Sequence, residues 1–181
     1  MKVIGIHTSP NHEGLSARLV RAALRGAEKA GADTEMLYLH GWELQACRTC
    51  GEGWGTCRSE GRCELPDGFE EIRGKLNSAD AVVFCTPVYF GDVSEDAKRL
   101  LDRWRRCEIC DREHSPLKGK PAIAIAVAGG SGGGCVQALH NLERYFSVLQ
   151  FSLVDLVPVT RRNLPWREEG LEAAGQSLVV A

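Results

Sequence analysis

The sequence predicts an α/β fold: a doubly wound, five-stranded parallel sheet in the order 2-1-3-4-5, with helices on both faces. Apolar runs of strand length alternate along the chain with segments of helical period, the pattern of strand–helix–strand units. Two of those runs, Asp80–Cys85 and Ala122–Ala128, are apolar without alternation, as strands buried on both faces must be. The loops that follow the first, third and fourth strands are unusual in composition. In a sheet of this order they share the rim where ligands bind.

The first strand is Lys2–His7. A helix from about Ser16 to Ala30 follows, with Leu19, Val20, Ala23, Leu24 and Ala27 on one face. The second strand is roughly Thr34–Leu39. Residues 41–65 form an insert rich in Cys and Gly that has neither a helical nor a strand period. Asp67 reads as the N-cap of the next helix, with Glu70 as its capping-box partner and Phe69, Ile72 and Leu76 facing inward. The third strand comes next, then a helix from Ser94 to Cys107 carrying Ala97, Leu100, Leu101 and Trp104 inward. The fourth strand, a helix over about Cys135–Leu149 and a fifth strand over Phe151–Val159 complete the sheet. From about residue 160 the chain reads as a tail with one short helix.

The 181 residues suit one domain, residues 1–181, carrying the insert and the tail. A 44% hydrophobic and 25% charged composition excludes wholesale disorder. The net charge of −2 argues against a nucleic-acid partner. No apolar run approaches the ~18 residues of a membrane helix. The N-terminus lacks a cleavable leader pattern, so a cytoplasmic location is expected. Eight cysteines in a reducing compartment point to metal or redox chemistry rather than to structural disulfides.

Each rim loop has features suited to a ligand. Thr8–Ser16 leads into a helix N-terminus, whose free N–H groups favour a phosphate, with Ser9 and Ser16 as hydroxyl donors; the plain alternative is an ordinary loop with Ser16 as N-cap. It is neither a Walker loop nor a Rossmann fingerprint. Tyr89 and Phe90 follow a buried strand and would cover something flat and apolar, or else close the core or a subunit contact. Gly129–Gly134, five glycines around Ser131, suits close backbone approach to a ligand; the alternative is a flexible loop.

Ser9-Pro10 with Gly14 and Ser16, the segment Thr86–Ser94 followed by Lys98 and Asp102-Arg103, and Leu117–Pro121 with the glycine loop together resemble the NAD(P)H-dependent FMN reductase family. The resemblance runs from about Met1 to Val159 and implies a flavodoxin-like fold. It implies that Ser9, Asn11, Leu15 and Ser16 hold the FMN phosphate. Pro87, Val88, Tyr89, Phe90 and Gly91 would hold the flavin ring, with Gly129 and Gly130 at its other edge. Thr8, Asn11 and Leu15 stand where the family usually has Gly, Arg and Asn. Loss of that Arg removes a charge-assisted contact worth ~1.5–3 kcal/mol, which Arg18 or His12 could replace. The family also implies a homodimer or homotetramer.

Cys47, Cys50, Cys57 and Cys63 fall within one short window, with glycines between them that permit tight turns. Four thiolates at short, uneven spacings suit an iron–sulfur cluster. The insert resembles the cysteine motif of iron–sulfur flavoproteins, a branch of the same family that carries a [4Fe–4S] cluster. Gly53 occupies the place of that motif's third Cys, and Cys57 comes four residues later. Zinc on the same four thiolates, or no metal, are the alternatives. Cys107 and Cys110, with Arg105, Arg106 and Arg112 nearby, could form a redox dithiol, but such pairs usually open a helix and these close one, so they read as structural or as part of a subunit contact; no histidine spacing marks a metal site.

The leading reading is an FMN-dependent NAD(P)H oxidoreductase delivering electrons to a flavin, quinone or other small acceptor. Because the flavin carries the chemistry, no catalytic side chain is named. The alternative is an electron carrier that couples a ferredoxin to an acceptor through FMN and a [4Fe–4S] cluster. A zinc-stabilised binding module without flavin is a weaker third.

Overall fold

The structure, a computed structural model, describes residues 1–180. Five parallel strands, β1 (Lys2–His7), β2 (Asp33–Tyr38), β3 (Ala81–Tyr89), β5 (Pro121–Ala128) and β6 (Ser152–Thr160), form the sheet in the order β2-β1-β3-β5-β6. Counting only these five, the order is the expected 2-1-3-4-5, the flavodoxin-like arrangement. A sixth strand was not expected: β4 (Asp92–Val93) pairs antiparallel with the end of β3, so the loop after β3 is a tight hairpin.

Helices cover both faces. Against one lie α3 (Phe69–Ser78), α4 (Glu95–Glu108) and α5 (Cys135–Val148), enclosing a core around Phe69, Phe84, Trp104 and Phe146. Against the other lie α1 (Leu15–Lys29) and α6 (Leu164–Val180), packed on Val3, Val83, Ile123 and Ile125. The one central strand, β3, feeds both cores. Val82 and Phe84 point one way and Val83 and Cys85 the other, which is why its apolar run does not alternate.

Three expectations are corrected. The tail is not a short helix at a loose end. α6 spans 17 residues and lies along α1, with Arg18 bonded to Glu168, and Lys29 to Glu172. Gly26 and Gly175 bring the two backbones together: a Cβ on either would overlap a carbonyl oxygen of the opposite helix. The insert is not wholly irregular, since a 3-10 turn at Leu39–Trp42 leads into it and it holds a four-residue helix, α2 (Thr56–Ser59). Asp67 is not the N-cap of α3, which begins at Phe69 after Gly68. Its carboxylate is taken by a long-range partner, Arg103, at 2.7 and 2.8 Å. Glu70 closes no capping box either; it accepts from the Cys63 amide and from Arg73.

Candidate functional site

The expected ligand loops sit side by side, because β1, β3 and β5 are neighbours in the sheet and all three loops leave from C-terminal strand ends. They are also bonded to one another. Thr8 Oγ1 and Ser94 Oγ are 2.7 Å apart, Ser94 N donates to Thr86 Oγ1 at 2.9 Å, and Thr8 N donates to the Cys85 carbonyl at 3.0 Å. Ser94 thus caps α4, accepting from Ala97 N, and fastens the loop after β1 to the segment after β3. On the other side Gly134 touches Gly91: a Cβ at position 134 would lie 2.6 Å from the Gly91 Cα. Both residues have positive φ, +84° and +80°, which glycine adopts without strain.

In the loop after β1, Ser9 and Ser16 are buried, Leu15 is half-buried and Asn11 is exposed. Ser9 Oγ accepts from Asn11 N, and Gly14 N donates to the Asn11 carbonyl, which closes the turn. Gly14 precedes α1 and supplies no side-chain cap, so side chains leave the first N–H groups of a 15-residue helix free for an anion. On the hairpin, Pro87 and Val88 are half-buried, and Tyr89 and Phe90 turn outward. Phe90 is fully exposed and holds φ +54°, a conformation costly for a non-glycine residue. Gly91 is half-buried; Gly129 is half-buried and Gly130 exposed, and a Cβ on either of these two would meet nothing within 4 Å. An uncapped helix end, an outward aromatic pair and an open glycine edge on one rim fit a flat ring carrying a phosphate.

Neither cation considered as a substitute for the missing Arg is free. Arg18 is held by Glu168 of α6, and His12 faces Glu13. A different histidine stands out. His7, at the end of β1, is completely buried against Tyr38, and neither ring nitrogen has a partner. Burial, with His12 and Arg21 nearby, lowers its pKa to about 4, so it is neutral at ordinary pH. Nothing in its sequence context marked it, because only the third dimension shows that its nitrogens lack partners.

Cys47, Cys50, Cys57 and Cys63 line one small cavity. The elements around the insert bring them there. Asp67 fixes its two ends, accepting from Gln45 N at 2.9 Å and from Phe69 N at 3.1 Å, while Arg103 of α4 grips the same carboxylate. Arg103 is almost wholly buried, lies over the Phe69 ring at 4.2 Å, and turns its Nε–H to Cys63 Sγ at 3.3 Å. All four thiols are free, and they share a common wall rather than meeting at a point: no three Cys, His, Asp or Glu side chains converge as around a single ion among the described residues. Four such donors are the set that a small cluster takes.

A fifth thiol borders the same cavity. Cys107, read from the sequence as structural or as part of a subunit contact, is buried on α4 beside the insert cysteines. Burial pushes its pKa up to about 12, so it remains a thiol. Its helical spacing from Arg103 was the available signal, but the spacing does not say which face the insert covers. Cys110, by contrast, is exposed.

The two regions adjoin. A second cavity of about 470 Å³ is lined by Cys47 from the insert, Tyr89 from the hairpin, and Glu95, Lys98 and Asp102 from α4. Cys47 therefore belongs to both walls.

The family model described as NADPH-dependent FMN reductase matches residues 1–157. An iron–sulfur flavoprotein of Methanocaldococcus jannaschii is 39% identical over 148 residues, covering 82% of this chain and 72% of its own. An iron–sulfur flavoprotein of Methanosarcina thermophila is 31% identical, covering 78% of this chain and 72% of its own. Among solved structures, an NAD(P)H:quinone oxidoreductase from Methanothermobacter marburgensis superposes with a TM-score of 0.70 at 18% identity, over 98% of this chain and 96% of that one, a likeness of fold. On the extent of the family match and the level of identity, the chain belongs to the NADPH-dependent FMN reductase family.

Proposed function

We propose that the chain is an FMN-dependent oxidoreductase of the iron–sulfur flavoprotein kind, passing electrons between a flavin on the strand-end rim and a [4Fe–4S] cluster held by Cys47, Cys50, Cys57 and Cys63. The observation that carries this reading is that Cys47 lines both the thiol cavity and the cavity beside Tyr89. Electrons moving between the two sites then have no intervening domain to cross. When bound, FMN supplies both hydride and single-electron chemistry, and a cluster supplies single-electron chemistry.

The protein's own part is binding and exclusion. The free N–H groups of α1, with Ser9, Asn11, Leu15 and Ser16 around them, would hold the phosphate. Pro87 to Gly91 would hold the ring, with Gly129 and Gly130 at its far edge. The half-buried setting of the four cysteines limits water at the thiolates. A ferredoxin is the class of donor that this arrangement suits, with a homodimer or homotetramer as the assembly.

A second reading, an NAD(P)H-driven reductase of a flavin, quinone or other small acceptor, is supported by the family description. Anaerobic purification, with an absorbance spectrum and iron, sulfide, zinc and flavin analysis, separates the two. The expected result is flavin with about four irons per chain, reduced efficiently by ferredoxin and not by NAD(P)H. Flavin without iron, bleached rapidly by NAD(P)H, establishes the second reading instead. A colourless protein overturns both.

The ring placement has its own test. Replacing both aromatics, Tyr89→Ala with Phe90→Ala, removes outward side chains and leaves the core intact. Flavin affinity should fall about 5- to 150-fold, on the basis of ~0.5–1.5 kcal/mol for each of the two aromatic contacts, with an unchanged melting curve. Unaltered flavin content in that double variant rules out the placement.

A further inference from the structure

Helix α4 presents one face to the thiol cavity. Arg103, Arg106 and Cys107 are spaced i, i+3 and i+4, and all three border it. The two arginines are not equivalent. Arg103 spends its donors on Asp67, the Gln45 carbonyl and Cys63 Sγ. Arg106 has no carboxylate partner among the described residues. It donates one Nη to the Gly53 carbonyl and lies over the Trp54 ring at 4.0 Å, and its buried Nε–H has no acceptor.

A buried donor with no acceptor is costly unless something at that place accepts it. The groups that share the cavity with Arg106 are sulfurs. On the proposed reading they carry a cluster whose negative charge grows by one on reduction. A cationic donor beside that charge favours the reduced form, and hydrogen bonds to sulfur are a recognised control of cluster potential.

We infer that Arg106, together with Arg103, is a positioning residue for the cluster, whose guanidinium groups hold its reduction potential up from the α4 side of the cavity. Trp54 keeps the Arg106 plane in place by stacking on it. This inference rests on the cluster reading above. It adds to that reading which residues of this chain set the potential.

The test is Arg106→Gln in the holoprotein, purified without oxygen and compared with wild type. Iron, sulfide and flavin are counted, the melting curve is recorded, and the cluster is titrated with dithionite while its paramagnetic signal is followed. The expected result is unchanged iron and flavin, with a cluster roughly tenfold harder to reduce, a shift of about 59 mV to lower potential for one electron. Arg106→Lys, which keeps the charge and loses the planar Nε–H, should fall between the two. If Arg106→Gln fails to retain iron, the Lys variant carries the measurement. A role confined to stacking on Trp54 would lower the melting temperature and leave the potential where it was, and that result overturns the inference. Absence of iron from the wild-type protein overturns the cluster reading itself, and the inference with it. Iron present with an unmoved potential overturns the inference alone.

Discussion

Asp67→Ala should lower stability by about 3–5 kcal/mol, the usual cost of leaving one partner of a buried ion pair behind. Asp67 and Arg103 expose 8% and 1% of their side chains, so water cannot replace what is lost. Burial alone would push the Asp67 carboxyl above its ordinary pKa. The Arg103 fork and the Gln45 and Phe69 amides more than offset that and hold it below. The same carboxylate ties residue 45 to the start of α3, so its removal also frees both ends of the insert. The variant should therefore lose metal before it loses flavin. Asp67→Asn, which keeps acceptors but no charge, should be intermediate. Denaturant titration measures the stability, and iron analysis of the folded fraction measures the second effect. A loss below about 1 kcal/mol would place the pair among the surface bridges of little consequence.

Gly175→Val should cost about 3 kcal/mol, the upper part of the range for overpacking a tight contact. A side chain there would enter the Ala23 carbonyl of α1, and Gly26 faces the Glu172 carbonyl in the same way. The intrinsic preference points in the opposite direction, because glycine inside a helix is ~1 kcal/mol worse than alanine. The clash decides the sign. In thermal terms the loss is roughly 6–12 °C for a chain of this size. Gly170→Ala on the same helix is the control: its Cβ would meet nothing within 4 Å, so stability should hold or rise. Since α1 also carries the uncapped N-terminus on the rim, separating the two helices should weaken flavin binding as well.

Much of the frame could be read from residue order. The parallel strands declare themselves by unbroken apolar runs, and α4 by Ala97, Leu100, Leu101 and Trp104, all completely buried. α6 could not be read this way. It buries Leu171, Gly175 and Leu178, a thin stripe partly made of glycine backbone, while Trp166 and Val180 stand exposed elsewhere on the helix, so the apolar residues do not mark one face. Asp67 misled for a related reason: its local pattern is that of a cap, and it does accept from the Phe69 amide, but a guanidinium 36 residues away shares the same carboxylate and turns a local cap into a long-range tie. The spacing of the four insert cysteines was plain in the sequence. That Cys107 and Arg106 share their cavity was not, because the helical period fixes the relative direction of side chains and not what a long insert lays over them.

The meeting of Gly91 and Gly134 has a mechanical consequence. With no side chain between them, the β3 hairpin and the glycine loop after β5 meet backbone to backbone along one lip. A residue inserted into either would shove the other. Accommodation of a bulkier guest along this edge is thus left to the opposite jaw, where Asn11, His12 and Glu13 stand in solvent and have room to yield.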